Sequence, residues 1–147
     1  MSDTPIPSIL PRFDKLSYMA GSCLAFAEVV GFGAKKLALS SVYTSIELEY
    51  MLKIIEYAAQ RFGCVYLPEP ELIKTKLFRR DIAEGKIVVL IANNQSILGE
   101  YSELKQLKKE SDMKGNPEEL EIEIARRFGK LLSYDDDSIE DLIERYG

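Results

Sequence analysis

The spacing of hydrophobic positions changes several times along this chain, and each change predicts the boundary of a helix or a strand. Apolar residues repeat at steps of three and four, as on one face of a helix, from Phe13 to Val30 and from Leu48 to Phe62. Glycines follow both patterns and are expected to end the two helices. Short alternating or unbroken apolar runs predict strands at 34–41, 64–67 and 86–92.

The second half of the chain adds three helical patterns and one ambiguous segment. One helix is expected to begin at Ser96 and to run to about residue 109. The next begins at Asn116-Pro117-Glu118-Glu119, which supplies a capping residue, an N1 proline and an acidic first turn. The last begins at Asp137. Residues 71–80 fit neither period well, and we assign them as a further strand.

The order of these elements predicts an α/β fold. The helix between the strands at 34–41 and 64–67 is long enough to return the chain across a sheet, which is typical of parallel strands. The unbroken β-branched run at 87–91 is typical of a strand buried on both faces. We therefore expect a three- to four-stranded, mostly parallel sheet with helices on both faces and a C-terminal helical appendage.

The same patterns suggest how the chain is divided. Residues 1–11 contain three prolines and are expected to form an extended arm. An α/β domain is expected over 12–110, followed by a polar linker at 111–115. Residues 116–147 are expected to form a helical pair packed on the same core.

Composition narrows the function classes. The 147 residues fit one domain and include no histidine, which excludes Ser-His-Asp catalysis and imidazole-zinc sites within one chain. The net charge of −5 does not steer the chain towards nucleic acid or an anionic membrane. Cys23 and Cys64 lie in apolar surroundings and are expected to be buried thiols. A disulfide bond between them is the alternative that the sequence leaves undecided.

Targeting signals and residue usage suggest where the protein works. There is no visible signal peptide, and the longest charge-free stretch that looks membrane-like, Leu16–Ala27, is too short to span a bilayer. We therefore expect a cytoplasmic protein with no membrane partner, no cofactor and no metal. Scarce Asn and Gln beside plentiful Lys, Glu and Ile favour a thermophilic source.

Two polar loops form the first candidate site, for a small polar or anionic ligand. Each follows a predicted strand and opens a helix, so parallel strands would bring both to one edge of the sheet, where α/β folds bind ligands. The alternative is that these residues are ordinary turn and capping residues, and Thr44 with Glu47 fits a capping box. The candidate residues are Ser40, Ser41, Tyr43, Thr44, Asn93, Asn94 and Ser96.

A basic cluster is the second candidate site. Lys74, Lys76, Arg79 and Arg80 surround Phe78 and could contact phosphate or nucleic acid. The alternative is a solvated edge strand, because lysine commonly guards sheet edges. The net negative charge makes nucleic acid the less favoured partner.

Two further features have both a functional and a structural interpretation. The acidic run Asp135-Asp136-Asp137 could bind a hard cation, but it precedes a helix and more simply caps it, with Asp137 as the capping residue. In the first helix, Gly21-x-x-x-Ala25 allows close approach of another backbone. That backbone belongs either to this chain, through tight internal packing, or to a second copy, through a helix-mediated seam.

The segment Phe128-Gly129-Lys130-Leu131-Leu132-Ser133-Tyr134 resembles the motif of an uncharacterised, mainly archaeal domain family. In that family the motif joins two helices and contains a glycine where this chain has Ser133. Paired cysteines follow it, whereas Asp136 and Asp137 stand here, so no thiol or metal role carries over. The resemblance implies the order of elements and an archaeal source, not an activity.

Three functions remain as hypotheses. The first is a non-catalytic binding or self-assembly module, supported by the missing catalytic motifs and by the small residues of the first helix. The second is a small-molecule enzyme with a polar site at the carboxyl edge of the sheet. The third is a nucleic-acid accessory protein that uses the basic cluster. No catalytic residues are assigned.

Overall fold

A computed structural model describes residues 12–147, so the expected arm at 1–11 lies outside the described part. Five helices and three strands make up this part of the chain. In chain order they are α1 (Lys15–Gly31), β1 (Leu37–Leu39), α2 (Ser45–Phe62), β2 (Val65–Glu69), β3 (Val88–Ala92), α3 (Gln95–Met113), α4 (Glu118–Leu131) and α5 (Asp136–Tyr146).

The sheet is antiparallel, and the expected mostly parallel α/β sheet is wrong. β3 lies between β1 and β2 and runs opposite to both, pairing Leu37 with Ala92 and Val65 with Ala92 at one end. Helix α2 does return the chain so that β1 and β2 point the same way. These two strands are not neighbours, however, because the later strand β3 inserts between them.

Helices α1 and α2 pack side by side on one face of the sheet, against Ala38, Val89 and Ile91. They run in the same direction. Near their N-termini Lys15 Nζ lies 2.7 Å from Glu47 Oε2. At the other end, Gly31 of α1 contacts Phe62 of α2. The outer sides of both helices therefore form one surface of the molecule.

Helices α3, α4 and α5 contribute to the second core, which uses the other face of the sheet through Leu37, Leu90 and Ala92. The C-terminal helices thus share a core with β1 and β3. The polar stretch expected to be a linker is partly helical: α3 continues to Met113, and Ser111 is fully buried. Its hydroxyl donates to Glu121 Oε2 of α4 at 2.8 Å.

Residues 71–80 do not form the expected strand. Ile73, Thr75 and Leu77 are buried at alternating positions, which explains the strand-like pattern, but no strand pairs with them. Local hydrogen bonds replace a ladder: the Tyr101 hydroxyl accepts from Ile73 N–H at 3.3 Å, and Thr75 Oγ1 accepts from Leu77 N–H at 3.2 Å. We call residues 70–87 the β2–β3 connection.

No helix within residues 12–147 combines the length and the apolar character needed to cross a bilayer.

Candidate functional site

The two polar loops of the first candidate site lie at opposite ends of the sheet. Ser40 follows β1 and its backbone N–H bonds Val89 O, near the start of β3. Asn93 follows the end of β3 and its backbone N–H bonds Lys36 O, before β1 begins. This separation is the direct consequence of antiparallel pairing, and it removes the shared edge on which the predicted site depended.

Ser40, Tyr43 and Thr44 of the first loop serve the fold. Ser40 Oγ accepts from Val89 N–H at 2.8 Å and donates to Ser41 O at 2.7 Å, so it extends the pairing of β1 with β3. Tyr43 pairs its backbone with Ile87 and buries its ring in the α1–α2 core, where burial raises the pKa of its phenol to about 12. Thr44 caps α2 in the expected capping box with Glu47, which is confirmed.

The second loop also serves local structure. Asn93 Nδ2 donates to Val30 O at 2.8 Å, which ties the end of α1 to the sheet. Asn94, rather than the expected Ser96, is the N-cap of α3 and accepts from Ile97 N–H at 3.3 Å. Ser96 Oγ donates to the same Asn94 oxygen. The loop residues thus act as turn and capping residues.

The exposed large apolar side chains of residues 12–147 concentrate on the outer sides of α1 and α2. Leu16, Tyr18, Val29, Ile46, Tyr50, Leu52 and Tyr57 lie on these helices, and Phe32 is the C-cap of α1. Outside them, the described exposed apolar side chains are Leu67 and Met113. Phe32 is 80% exposed, Ile46 67% and Tyr50 63%. Clustering of exposed apolar side chains on two adjacent helices is a feature of interaction sites.

Gly21 and Ala25 lie exposed in the middle of this surface. A Cβ atom built on Gly21 would meet no heavy atom within 4 Å. Packing within residues 12–147 therefore does not explain the Gly-x-x-x-Ala pattern, because neither residue is buried against this part of the chain. We define the α1–α2 face as the exposed row Tyr18, Gly21, Ala25, Val29 and Phe32 together with Ile46, Tyr50 and Tyr57.

Helix α2 was not recognised from the sequence as part of this face. A signal was present, since Ile46, Tyr50 and Tyr57 lie four and seven residues apart and form a second apolar row on a helix whose buried row was already assigned. A helix with two apolar rows covers a core with one and leaves the other for a partner.

The basic cluster lines the mouth of a cleft of about 560 Å³. The β2–β3 connection forms one wall, and it contributes Lys74, Lys76, Arg79 and Arg80. Helix α3 forms another wall and adds Lys105, Lys108 and Lys109, which sequence reasoning missed although their spacing places all three on one side of a helix. The structure thus brings together cationic side chains from two segments.

Two of the lysines in the cleft are held by buried carboxylates. Lys105 Nζ lies 2.9 Å from both Glu69 carboxylate oxygens, and Lys108 Nζ lies 2.6 Å from Glu121 Oε1. Glu69 and Glu121 are both buried. These pairs fix the α3 side of the cleft, because removing one partner would leave a buried charge uncompensated.

The remaining cations of the cleft differ in their pairing. Arg79 pairs with Asp81 at 3.1 Å. Within residues 12–147, Lys74, Lys76, Arg80 and Lys109 have no carboxylate oxygen within 4 Å. These four side chains can therefore contact an external anion without breaking an internal ion pair.

The acidic run at the start of α5 caps that helix. Asp135 is the N-cap and accepts from Ser138 N–H at 2.7 Å, so the expectation that Asp137 is the cap is wrong by two residues. Asp136 pairs with Lys130 of α4. The described residues contain no cluster of three or more side chains that could hold a metal ion.

The two cysteines are free and buried. Burial raises the pKa of Cys23 to about 11 and also raises the pKa of Cys64. Cys64 Sγ donates to Ala27 O at 3.1 Å. Both thiols are therefore protonated and poorly reactive near neutral pH, as structural cysteines are.

The motif-like segment 128–134 joins α4 to α5. Ser133 adopts φ = +64°, a left-handed conformation that favours glycine, and glycine is the residue that the resembling motif has there. Ser133 Oγ accepts from Lys36 N–H at 2.9 Å, which links this turn to β1. Ser133 thus contributes a hydrogen bond to Lys36 that a glycine at this position could not make.

A scan against protein-family models finds no match for this chain, and searches of curated proteins and of solved structures find none either.

Proposed function

We propose that this chain is a self-assembly module, which pairs with a second copy of itself through the α1–α2 face. The observation that carries this proposal is the exposed Gly21 and Ala25 within a row of exposed aromatic and aliphatic side chains. A partner that covers such side chains gains a burial free energy of about 25 cal/mol for each Å² of apolar area.

The shape of the face suits a second copy. Two-fold assembly requires one patch to be complementary to itself, so that each protrusion meets a hollow of the other copy. The bulky side chains of Tyr50 and Tyr57 on α2 provide protrusions, and the minimal side chains of Gly21 and Ala25 on α1 provide a hollow. A two-fold axis between the copies makes this contact twice.

The two helices also carry exposed charges of both signs. Glu28, Glu49, Lys53 and Glu56 are exposed on the two helices, and none of them has an ion pair among residues 12–147. Lys53 of one copy can therefore pair with a glutamate of the other. Charged and polar groups in such positions set the register of an interface more than its affinity.

The test measures the molar mass of the full chain by size-exclusion chromatography with light scattering over a range of concentrations. We expect twice the 16.7 kDa chain mass for the unmodified protein, and a shift to the single-chain mass for Gly21→Leu and for Ala25→Arg. Both positions are exposed, so the variants should fold, and far-UV circular dichroism checks this.

Gly99→Leu is the matched control. Gly99 is also an exposed helical glycine with no heavy atom within 4 Å of a built Cβ, but it lies on α3, away from the face. This variant should keep the mass of the unmodified protein. A single-chain mass for the unmodified protein at every concentration, or a dimer that survives both α1 variants, would overturn the proposal.

The enzyme hypothesis loses its structural basis in the antiparallel sheet. It needed the loops at 40–44 and 93–96 to share one edge, and the pairing places them at opposite ends. A cytoplasmic location and an archaeal source remain proposals of their own, and neither carries any part of the self-assembly proposal.

A further inference from the structure

We propose that the cleft between the β2–β3 connection and α3 binds a ligand that carries a diphosphate or triphosphate group. This inference is independent of self-assembly, because the cleft lies on the α3 side of the sheet and the α1–α2 face lies on the other. It is surrounded by four cationic side chains that have no carboxylate partner among residues 12–147: Lys74, Lys76, Arg80 and Lys109.

The alternative interpretation of the cluster as guards of a sheet edge does not hold. Residues 71–80 are not a strand, so there is no edge for these lysines to protect. The fold instead anchors the segment from both sides. Leu77 is fully buried, and the Phe78 ring packs edge-on against Phe128 with centroids 6.3 Å apart. The flanking Lys76 and Arg80 therefore project from an anchored segment.

The opposite wall of the cleft is also fixed. Lys105 and Lys108 are held in place by Glu69 and Glu121, which neutralise their charges, so this wall offers positioned N–H donors rather than net positive charge. Positioned cations lose less side-chain entropy on binding than free surface lysines do. Arginine adds planar donors that match phosphate oxygens, and lysine adds compact point charges.

The shape and the overall charge favour a small phosphorylated compound over a nucleic acid. A concave site of about 560 Å³ falls in the range typical of small-molecule pockets. A nucleic acid would extend beyond the cleft and meet the surface of a chain whose net charge is −5. A diphosphate needs only a few cations, and the four without a carboxylate partner among residues 12–147 supply them beside the lining carboxylates Glu71, Glu84 and Asp112.

The test is isothermal titration calorimetry of the full chain with pyrophosphate at low ionic strength. The double variant Lys76→Met/Arg80→Met removes two cations of the cleft from exposed or half-buried positions. We expect it to weaken pyrophosphate binding at least tenfold, because each lost cation removes charge-assisted hydrogen bonds to the phosphate oxygens. Added salt should weaken binding to the unmodified protein.

Arg61→Met/Arg127→Met is the matched control. It removes the same charge from two exposed arginines that do not line the cleft. We expect the control to change the affinity less than threefold. Absence of pyrophosphate binding to the unmodified protein, or equal weakening by the two double variants, would refute the site.

Two further titrations identify the class of ligand. ADP that binds at least as tightly as pyrophosphate supports a nucleotide as the source of the diphosphate, whereas weaker binding of ADP supports a non-nucleotide phosphate compound. A single-stranded oligonucleotide that binds more tightly than both would overturn the proposal in favour of a nucleic-acid site. Light scattering of the same variants separates these outcomes from any change in self-assembly.

Discussion

Gly21 and Gly31 lie on the same helix and have opposite surroundings. A Cβ atom on Gly31 would lie 2.1 Å from the Phe62 carbonyl oxygen, whereas one on Gly21 would meet nothing within 4 Å. The backbone of Phe62 cannot rotate away as the tip of a side chain can. Glycine at position 31 is thus a requirement of the contact between α1 and α2.

We therefore expect Gly31→Ala to destabilise the protein by about 2–3 kcal/mol, since overpacking against a fixed neighbour forces the two helices apart. The measurement is urea unfolding followed by circular dichroism. Gly99→Ala is the control, and it should stabilise α3 by about 0.5–1 kcal/mol, because alanine favours a helix interior over glycine. Equal effects of the two substitutions would show that the contact with Phe62 is not limiting.

At the scale of single elements, the start of α5 depends on Asp135. Hydrogen bonds from Ser138 lower the pKa of the Asp135 carboxyl from its usual value of 3.8. Because the folded state favours the ionised carboxylate, the stabilisation is fully present above about pH 4 and is lost as the pH falls through the lowered pKa.

We therefore expect Asp135→Ala to lower the melting temperature more than Asp137→Ala, and Asp135→Asn to have a small effect, because an amide oxygen still caps. The difference in melting temperature between Asp135→Ala and the unmodified protein should be smaller at pH 3 than at neutral pH. A difference that grows on acidification would contradict the capping role. A melting temperature that rises with added calcium would indicate a metal site instead.

The elements were largely predictable, whereas their assembly was not. Helical spacing located α1 to α5, because this signal is local in sequence, and Thr44 with Glu47 matched its expected capping box. The caps of α3 and α5 lie two residues before the expected ones, at Asn94 and Asp135. The direction of β3 depends on which strands it pairs with, and that choice is made between distant residues. The shared sheet edge expected for the two loops was wrong for this reason. The lysines of α3 that line the cleft with the basic cluster at 74–80 were missed because they are distant in sequence.

At the scale of the whole molecule, β3 joins two cores. Every residue from Val88 to Ala92 is buried, with Leu90 in the core of α3, α4 and α5 and Ile91 in the core of α1 and α2. Alternate side chains of one strand thus support both halves of the protein. A substitution that disturbs packing on one face of β3 therefore shifts the backbone that also carries the side chains of the other core.

We therefore expect Leu90→Ala and Ile91→Ala each to cost about 2–5 kcal/mol, the usual range for truncating a buried aliphatic side chain. Both variants should still unfold in a single transition, with coincident curves from far-UV and tyrosine near-UV circular dichroism. Tyr43 and Tyr101 report on the two cores separately. Two separated transitions would instead show that the halves fold independently.

The central place of β3 also affects the order in which the chain can fold during synthesis. The ribosome makes β1 and β2 first, and neither can pair until Val88–Ala92 has been translated. Until then both strands have open edges, and the inner side of α1 and α2, with Met51 and Ile55, has no sheet to cover it. Aggregation or capture by a chaperone therefore competes with folding while the nascent chain still lacks β3.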